Sequence, residues 1–204
     1  MKNTFGNNVA VTLFGESHGN AIGAIIDGLP AGIDICEEFI SHQLDLRRPY
    51  GKISTPRHET DKFQIVSGVF NNKTTGTPIS IIIPNENTRS KDYNYGVARP
   101  GHADFTAFSK YNGNEDYRGG GHFSGRLTAP IVFAGAVAKQ ILRKENIEIL
   151  AHIKNIGDVY DENIDMANPD IDALRTLKNK TLPFISAEME NKASELIMSA
   201  KSDK

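Results

Sequence analysis

The chain holds one cysteine, Cys36, among its 204 residues. A single thiol excludes an internal disulfide framework and fits a reducing compartment. Nor does it make a metal site, so none is expected; the ordinary reading of Cys36 is a small packed residue. A basic excess is missing too, since 23 Lys and Arg face 25 Asp and Glu for a formal net charge of −2. That balance argues against a general nucleic-acid binder, whose footprint is surplus positive charge. No stretch approaches the roughly 18 consecutive apolar residues of a membrane helix. The opening "MKNTFGNNVAV" lacks an apolar core of signal-peptide length. A soluble cytoplasmic protein with neither a membrane nor a nucleic-acid partner is the expectation.

What is present reads as short strands first and helices later. "NVAVTLF" and "AIGAIIDGL" are β-branched and glycine-bounded, which predicts two strands around a "GESHGN" turn. "DICEEFISHQLDLRR" sets Ile35, Phe39, Ile40 and Leu44 at helical spacing, with Asp34 as the expected N-cap. "KFQIVSGVF" and "GTPISIIIPN" read as strands, the second apolar enough for burial on both faces. Residues 84–101 form a polar loop, and "HADFTAFSKY" a short helix. "LTAPIVFAGAVAKQILRKEN" is the strongest helix, with Pro130 in its first turn and Ile131, Gly135, Ala138 and Leu142 along one face. "EILAHIKNIGDVY" resumes strand character, and "NPDIDALRTLKNK" and "AEMENKASELIMSAKSDK" are amphipathic helices. No repeat or linker divides the chain, and several connections are too short for a parallel crossover. The expected class is α+β, in one domain over residues 1–204.

Four polar clusters carry possible chemistry. Gly15-Glu16-Ser17-His18-Gly19 has the G-x-S-x-G spelling of a nucleophile elbow. The elbow needs a preceding loop for its oxyanion hole and a following helix; only fourteen residues precede Gly15, and the strand-like "AIGAIIDGLP" follows. His18 then reads either as a turn histidine with no task or, set beside the other polar clusters, as a chemical residue with Ser17 its neighbour. "RRPYGKISTPRHETD" gathers Arg47, Arg48, Lys52 and Arg57 against Glu59 and Asp61. It reads as a self-paired surface loop or as an anion clamp, since arginine's planar fork suits carboxylates and phosphates. In "RPGHADF", Arg99 and His102 flank a Pro-Gly turn, with Asp104 two residues on. "RGGGHFSGR" precedes the strong helix and reads as a flexible connector or as a phosphate or cofactor cradle.

Taken in order and spacing, "GESHGNAIGAIIDGLP" (15–30), "RPGHAD" (99–104) and "DYRGGGHFSGRLTAPIVFAGAVA" (116–138) resemble the chorismate synthase family. "SGVFNNKTTGTPISIIIPN" and "TRSKDY" between them follow the same pattern. The resemblance implies a β-α-β sandwich, incomplete here, and a homotetramer. It implies conversion of 5-enolpyruvylshikimate 3-phosphate into chorismate and phosphate by anti-1,4-elimination, the last step of the shikimate pathway, which feeds aromatic amino acid synthesis. Reduced FMN is required although the reaction is redox-neutral, and some members use NADPH as the reductant. By motif, His18 is the acid near the leaving phosphate and His102 the acid near the reduced flavin. Ser17, Arg47, Arg48, Arg99 and Arg126 fall on positions that grip the anionic substrate, and Arg57 joins this set from the Arg-rich loop. His122, Phe123, Ser124 and Gly125 fall on the flavin-contacting segment. A phosphate of about −1.5 to −2 charge together with two carboxylates demands several fixed cations, which fits arginines concentrated in an acidic chain.

Two departures carry expectations of their own. The family's usual Arg-Ser-Ser-Ala-Arg-Glu-Thr is here His122 through Thr128, which loses a charge and a hydroxyl, and Lys52 stands where many members have arginine. The family's later Asp-Ser-Val-Gly-Gly, Lys-Pro-Thr and Arg-Ser-Asp motifs are not in these 204 residues, so the chain alone is expected to bind flavin poorly and not to turn over. The competing readings are a Ser17 hydrolase and an anion-binding domain that has lost catalysis.

Overall fold

The computed structural model describes residues 2–49, 51, 53–54, 59–86 and 93–202. The chain divides into two compact units, residues 1–48 with 58–146, and residues 49–57 with 147–204. Arg57 and Lys52 lie outside the described residues.

The first unit is a five-stranded antiparallel sheet in the order β1-β2-β3-β7-β4, covered by helices. Its strands are β1 (Thr4–Phe5), β2 (Ala10–Gly15), β3 (Ala21–Asp27), β4 (Gln64–Ser67) and β7 (Ile79–Pro84). Side chains alternate across a strand with period two, so an antiparallel sheet can bury one face only. Ile22, Ala24 and Ile26 of β3 stand opposite Ile83, Ile81 and Ile79 of β7, and all six are buried. Between them, Ile82 and Ser80 are only partly covered and Ile25 is exposed. The isoleucine run of β7 is therefore buried on one side, not on both as its composition predicts.

"KFQIVSGVF" is not one strand. β4 carries a bulge between Ile65 and Ser67, and Gly68 then turns the chain at φ +84°, so close to Ile79 that a Cβ there would lie 2.5 Å from its Cα. A hairpin follows, β5 (Val69–Phe70) to β6 (Lys73–Thr74). Its two turn residues, Asn71 and Asn72, both have positive φ, the backbone that a two-residue hairpin loop requires.

Helix α1 (Glu37–Leu46) buries Ile40 and Leu44. Its N-cap is Cys36, whose sulfur accepts from Phe39 N at 3.4 Å and which is exposed rather than packed. Asp34 is bound elsewhere. Hydrogen bonds from Lys144, then Lys73, hold its carboxyl down at about 2. Helix α2 (Asp104–Tyr111) ends at Asn112 in the left-handed conformation. Helix α3 (Thr128–Lys144) packs on α1 and on β2, β3 and β7. It buries Ala129, Pro130, Phe133, Ala136 and Val137, while Ile131, Gly135 and Ala138 are exposed. The face that meets the sheet is thus not the one its pattern suggests. α3 is apolar over most of its circumference, and the sheet selects the stripe in which Phe133 stands edge-on to Phe63 at 5.0 Å.

The second unit contains a small hairpin, β8 (Asn155–Ile156) and β9 (Val159–Tyr160), and helices α4 (Ile171–Thr176) and α5 (Ala187–Ser202). Its core is Leu182, Phe184 and Ala193, with Ile53, Ile153, Val159 and Met189 packed around them. Burial raises the Asp161 carboxyl, but backbone N–H groups of Ile185, Ser186 and Glu162, with His152, outweigh this and leave it lowered. Asp161 is the polar peg of this unit. Among the described residues no helix is long and apolar enough to cross a membrane.

Candidate active site

The residues of "GESHGN" form the turn between β2 and β3. Gly15 has φ +94°, and a Cβ there would lie 2.4 Å from Ala21 O, so the hairpin closes only on glycine. Glu16 O accepts from Gly19 N at 3.0 Å, which makes residues 16–19 a tight turn. Ser17 and His18 in its middle are buried. Ser17 Oγ lies 3.2 Å from His18 Nδ1, 3.3 Å from Arg118 O and 3.2 Å from Gly119 O. The hydroxyl proton faces two backbone carbonyls, and Ser17 as a whole is 1% exposed. A buried hydroxyl directed at two backbone carbonyls is poorly placed to attack a substrate.

The three glycines lie against this turn. Gly119, Gly120 and Gly121 all have positive φ. A Cβ on Gly119 would sit 2.2 Å from His18 Nδ1 and Cε1, and one on Gly121 would sit 2.2 Å from Asp116 O. The close approach that glycine permits here is to the protein's own histidine and backbone. Ser17 N donates to Gly121 O at 3.1 Å, and His122 Nδ1 donates to Gly15 O at 2.9 Å. The second bond fixes the His122 proton on Nδ1.

The His18 ring also meets Tyr93 edge-on, with centroids 5.2 Å apart. The Arg99 guanidinium lies 5.1 Å from the same Tyr93 ring, and one of its terminal nitrogens is 3.6 Å from where a Gly120 Cβ would be. Three separate stretches, 15–19, 93–99 and 118–122, therefore converge. Arg99 Nε and Nη2 donate to Asp104 at 2.7 and 2.9 Å, and its backbone N donates at 3.0 Å. The Arg99 hydrogen bonds hold the Asp104 carboxyl at about 2 against the cost of burial. His102 is exposed in the turn between these two residues, its N bonded to Arg99 O at 3.3 Å. Arg118 likewise lowers the Asp116 carboxyl through its hydrogen bonds. A cavity of about 690 Å³ opens beside this convergence, lined by Phe14, Tyr93, Arg99, Phe108, His122 and Phe123 among others.

The Asp104 pair yields a pH prediction. An isolated aspartate titrates near 3.9, so a folded value of about 2 means the pair stabilises the 99–104 turn fully above about pH 4. That contribution declines as pH falls and is gone below the folded value. A carbon-13 titration of the carboxyl should show a midpoint near 2, and Asp104→Asn should flatten the stability profile between pH 4 and 2. An ordinary midpoint near 4 would rule the pair out.

Two other anticipated anion-gripping residues are turned into the protein. Arg47 and Arg126 both ion-pair with Asp61, whose side chain is fully buried. Arg126 also donates from Nε to Asn85 Oδ1 at 3.0 Å and from Nη2 to Pro84 O at 3.1 Å, so all three of its nitrogens are engaged. Arg48 pairs with Asp45 at 2.8 Å and donates to Thr60 O, while its buried Nε has no partner among the described residues. Ser124 caps the short 3-10 turn Gly125–Leu127 by accepting from Arg126 N at 3.3 Å, and Gly125 O accepts from Thr128 Oγ1 at 2.6 Å. Phe123 is part-exposed against Tyr111 and Lys110. Asp61, Asn85 and Tyr93 were not anticipated as site residues. Asp61 is visible in the sequence only as an opposing charge, Asn85 only as the end of a strand-like stretch entering a polar loop, and Tyr93 only as the last residue of the "TRSKDY" resemblance. Among the described residues no group of three or more His, Cys, Asp or Glu is placed to hold a metal ion.

A chorismate synthase of Campylobacter lari is 45% identical over 203 residues, covering 99% of this chain and 55% of that protein. One from Methanococcus maripaludis is 52% identical over 161 residues, covering 77% of this chain and 43% of that protein. A crystal structure of chorismate synthase matches with a TM-score of 0.74 at 29% identity, covering 96% of this chain and 53% of that one. The chain spans about half the length of the curated relatives it matches, and its α+β fold is that of the crystal structure. Since the chorismate synthase family matches residues 9–204, the chain belongs to that family.

Proposed function

We propose that this chain supplies the acid-bearing and anion-holding part of a chorismate synthase site. The reaction is anti-1,4-elimination from 5-enolpyruvylshikimate 3-phosphate: a ring C–H bond and the C–O bond to phosphate break, a ring double bond forms, and phosphate leaves. The observation that carries this reading is His18, buried in contact with Gly119 and Tyr93, with the Arg99 guanidinium against the same tyrosine. An imidazolium there protonates or hydrogen-bonds the departing phosphate. His102, exposed beside the Arg99–Asp104 pair, is the second acid, on the flavin side.

Arg48, with its unpartnered Nε, and Arg99 are the cations best supported for contact with substrate, and Arg57 is retained from its motif. Arg47 and Arg126 act through Asp61, and Ser17 orients His18. The aromatic walls of Phe14, Tyr93, Phe108 and Phe123, with His122 and Arg99, suit a planar, anionic aromatic group such as reduced FMN, within the usual volume of ligand sites. Ser124 and Gly125 belong to the same segment. Reduced FMN, when bound, supplies electron density to the reacting ring; NADPH is the proposed reductant. A homotetramer in the cytoplasm, acting in aromatic amino acid synthesis, completes the reading.

The test is anaerobic chorismate formation with photoreduced FMN. Two proteins are compared: this chain, and this chain fused to the Campylobacter lari segment beyond the matched region. Turnover is expected in the fusion and not in the chain alone. In the fusion, His18→Ala or His102→Ala should lower kcat by roughly 10²- to 10⁴-fold, with a smaller effect on substrate affinity. A fusion that folds and binds FMN yet forms no chorismate refutes the reading, as does near-normal turnover in both variants.

A further inference from the structure

We infer that Asn85 is a positioning residue for His18, through the hydrogen-bonding of its side-chain amide. It follows β7 directly, and its backbone N donates to Asn20 O at 3.1 Å. Its Nδ2 donates to Glu16 O and to Gly19 O, each at 2.9 Å. Those are the carbonyls at the two ends of the turn that carries Ser17 and His18. An amide nitrogen has two hydrogens, and both are used on this one turn.

The opposite side of the amide is fixed as strongly. Asn85 Oδ1 accepts from Arg126 Nε at 3.0 Å, and Arg126 is locked by Pro84 O and by the buried Asp61. A charged donor can only face the oxygen, so the amide cannot flip without setting N–H against guanidinium. Glu16 O already accepts from Gly19 N, and the added Asn85 bond closes the turn from outside. The turn is also held by Gly121 O, which accepts from Ser17 N, and by His122, which donates to Gly15 O. The His18 ring therefore rests on a backbone clamped by both sets of bonds. The Asn85 clamp leads through Arg126 to Asp61 and Arg47, which gives those residues a part in placing the acid without touching substrate.

This inference rests on the chorismate synthase reading only for its kinetic part. Two variants separate positioning from mere support. Asn85→Asp keeps the size and an acceptor for Arg126, but turns an oxygen toward two carbonyls; Asn85→Ala removes every contact. Hydrogen exchange at the Ser17 and Gly19 amides, read in this chain by NMR, should accelerate by roughly 10- to 100-fold in both variants. The His18 imidazole resonances should move in both. In the active fusion, kcat should fall by about 10-fold or more with KM changed less than about 3-fold, as expected when the reacting geometry and not ground-state binding is lost. If Asn85→Asp retains wild-type exchange and His18 resonances, the residue serves only to accept the hydrogen bond from Arg126 and the inference is overturned. Unchanged exchange in both variants overturns it too. An inactive wild-type fusion would refute the function while the exchange and resonance measurements still decide the clamp.

Discussion

Substituting Asp61 by asparagine is expected to destabilise the first unit by about 3–5 kcal/mol, the cost of breaking a buried ion pair by removing one partner. Asp61 is 3% exposed and pairs with both Arg47 and Arg126. Arg126 is itself 7% exposed, so without the carboxylate its charge has neither water nor a counter-ion. Arg47 is better solvated and would recover part of its loss. Asparagine is the informative replacement because Asp61 has φ +48°, a conformation that asparagine tolerates. The result then reports charge, not backbone strain. For a chain of this length about 2–4 °C of Tm accompanies each kcal/mol, so a fall of roughly 6–20 °C should appear by calorimetry. A fall corresponding to less than about 1 kcal/mol would place the triad with ordinary surface pairs. Because Arg126 also holds Asn85, the His18 turn should loosen in the same variant.

Gly119→Ala is the second large effect. The residue has φ +61°, and the added methyl would stand 2.2 Å from the His18 ring and 2.7 Å from Ser17 Oγ. The left-handed backbone costs an alanine about 1–2 kcal/mol, and forcing a methyl into packed space adds about 1–3 kcal/mol. Urea unfolding should therefore give a loss of roughly 2–5 kcal/mol, together with displaced His18 imidazole resonances. Gly120→Ala has φ +83° but only ordinary contacts, with Arg99 Nη2 at 3.6 Å and Ser124 Cβ at 3.9 Å, so it should show the backbone cost alone. Gly125→Ala has neither positive φ nor any atom within 4 Å and should be nearly neutral. The three should rank in that order. Equal effects at Gly119 and Gly125 would mean the glycine loop does not press on His18.

The sequence by itself determined the local pieces and the family. The strands on either side of "GESHGN" and the helix with Pro130 in its first turn are carried by short-range pattern. Turn composition and periodicity act over a few residues, where the chain's own sterics decide. Tertiary structure decided which partners those pieces meet. Asp61 reaches Arg126 across 65 positions, and Asn85 reaches Glu16 across 69, distances over which no pattern of spacing operates. Cys36 became an exposed cap because Asp34 was taken by Lys144 and Lys73. The buried stripe of α3 was likewise undetermined locally, since a helix apolar over most of its surface offers several faces and only the β3 and β7 isoleucines choose one. Arginines that read as an open anion clamp closed partly on a buried carboxylate, because a guanidinium leaving water takes whatever counter-charge the fold brings within reach.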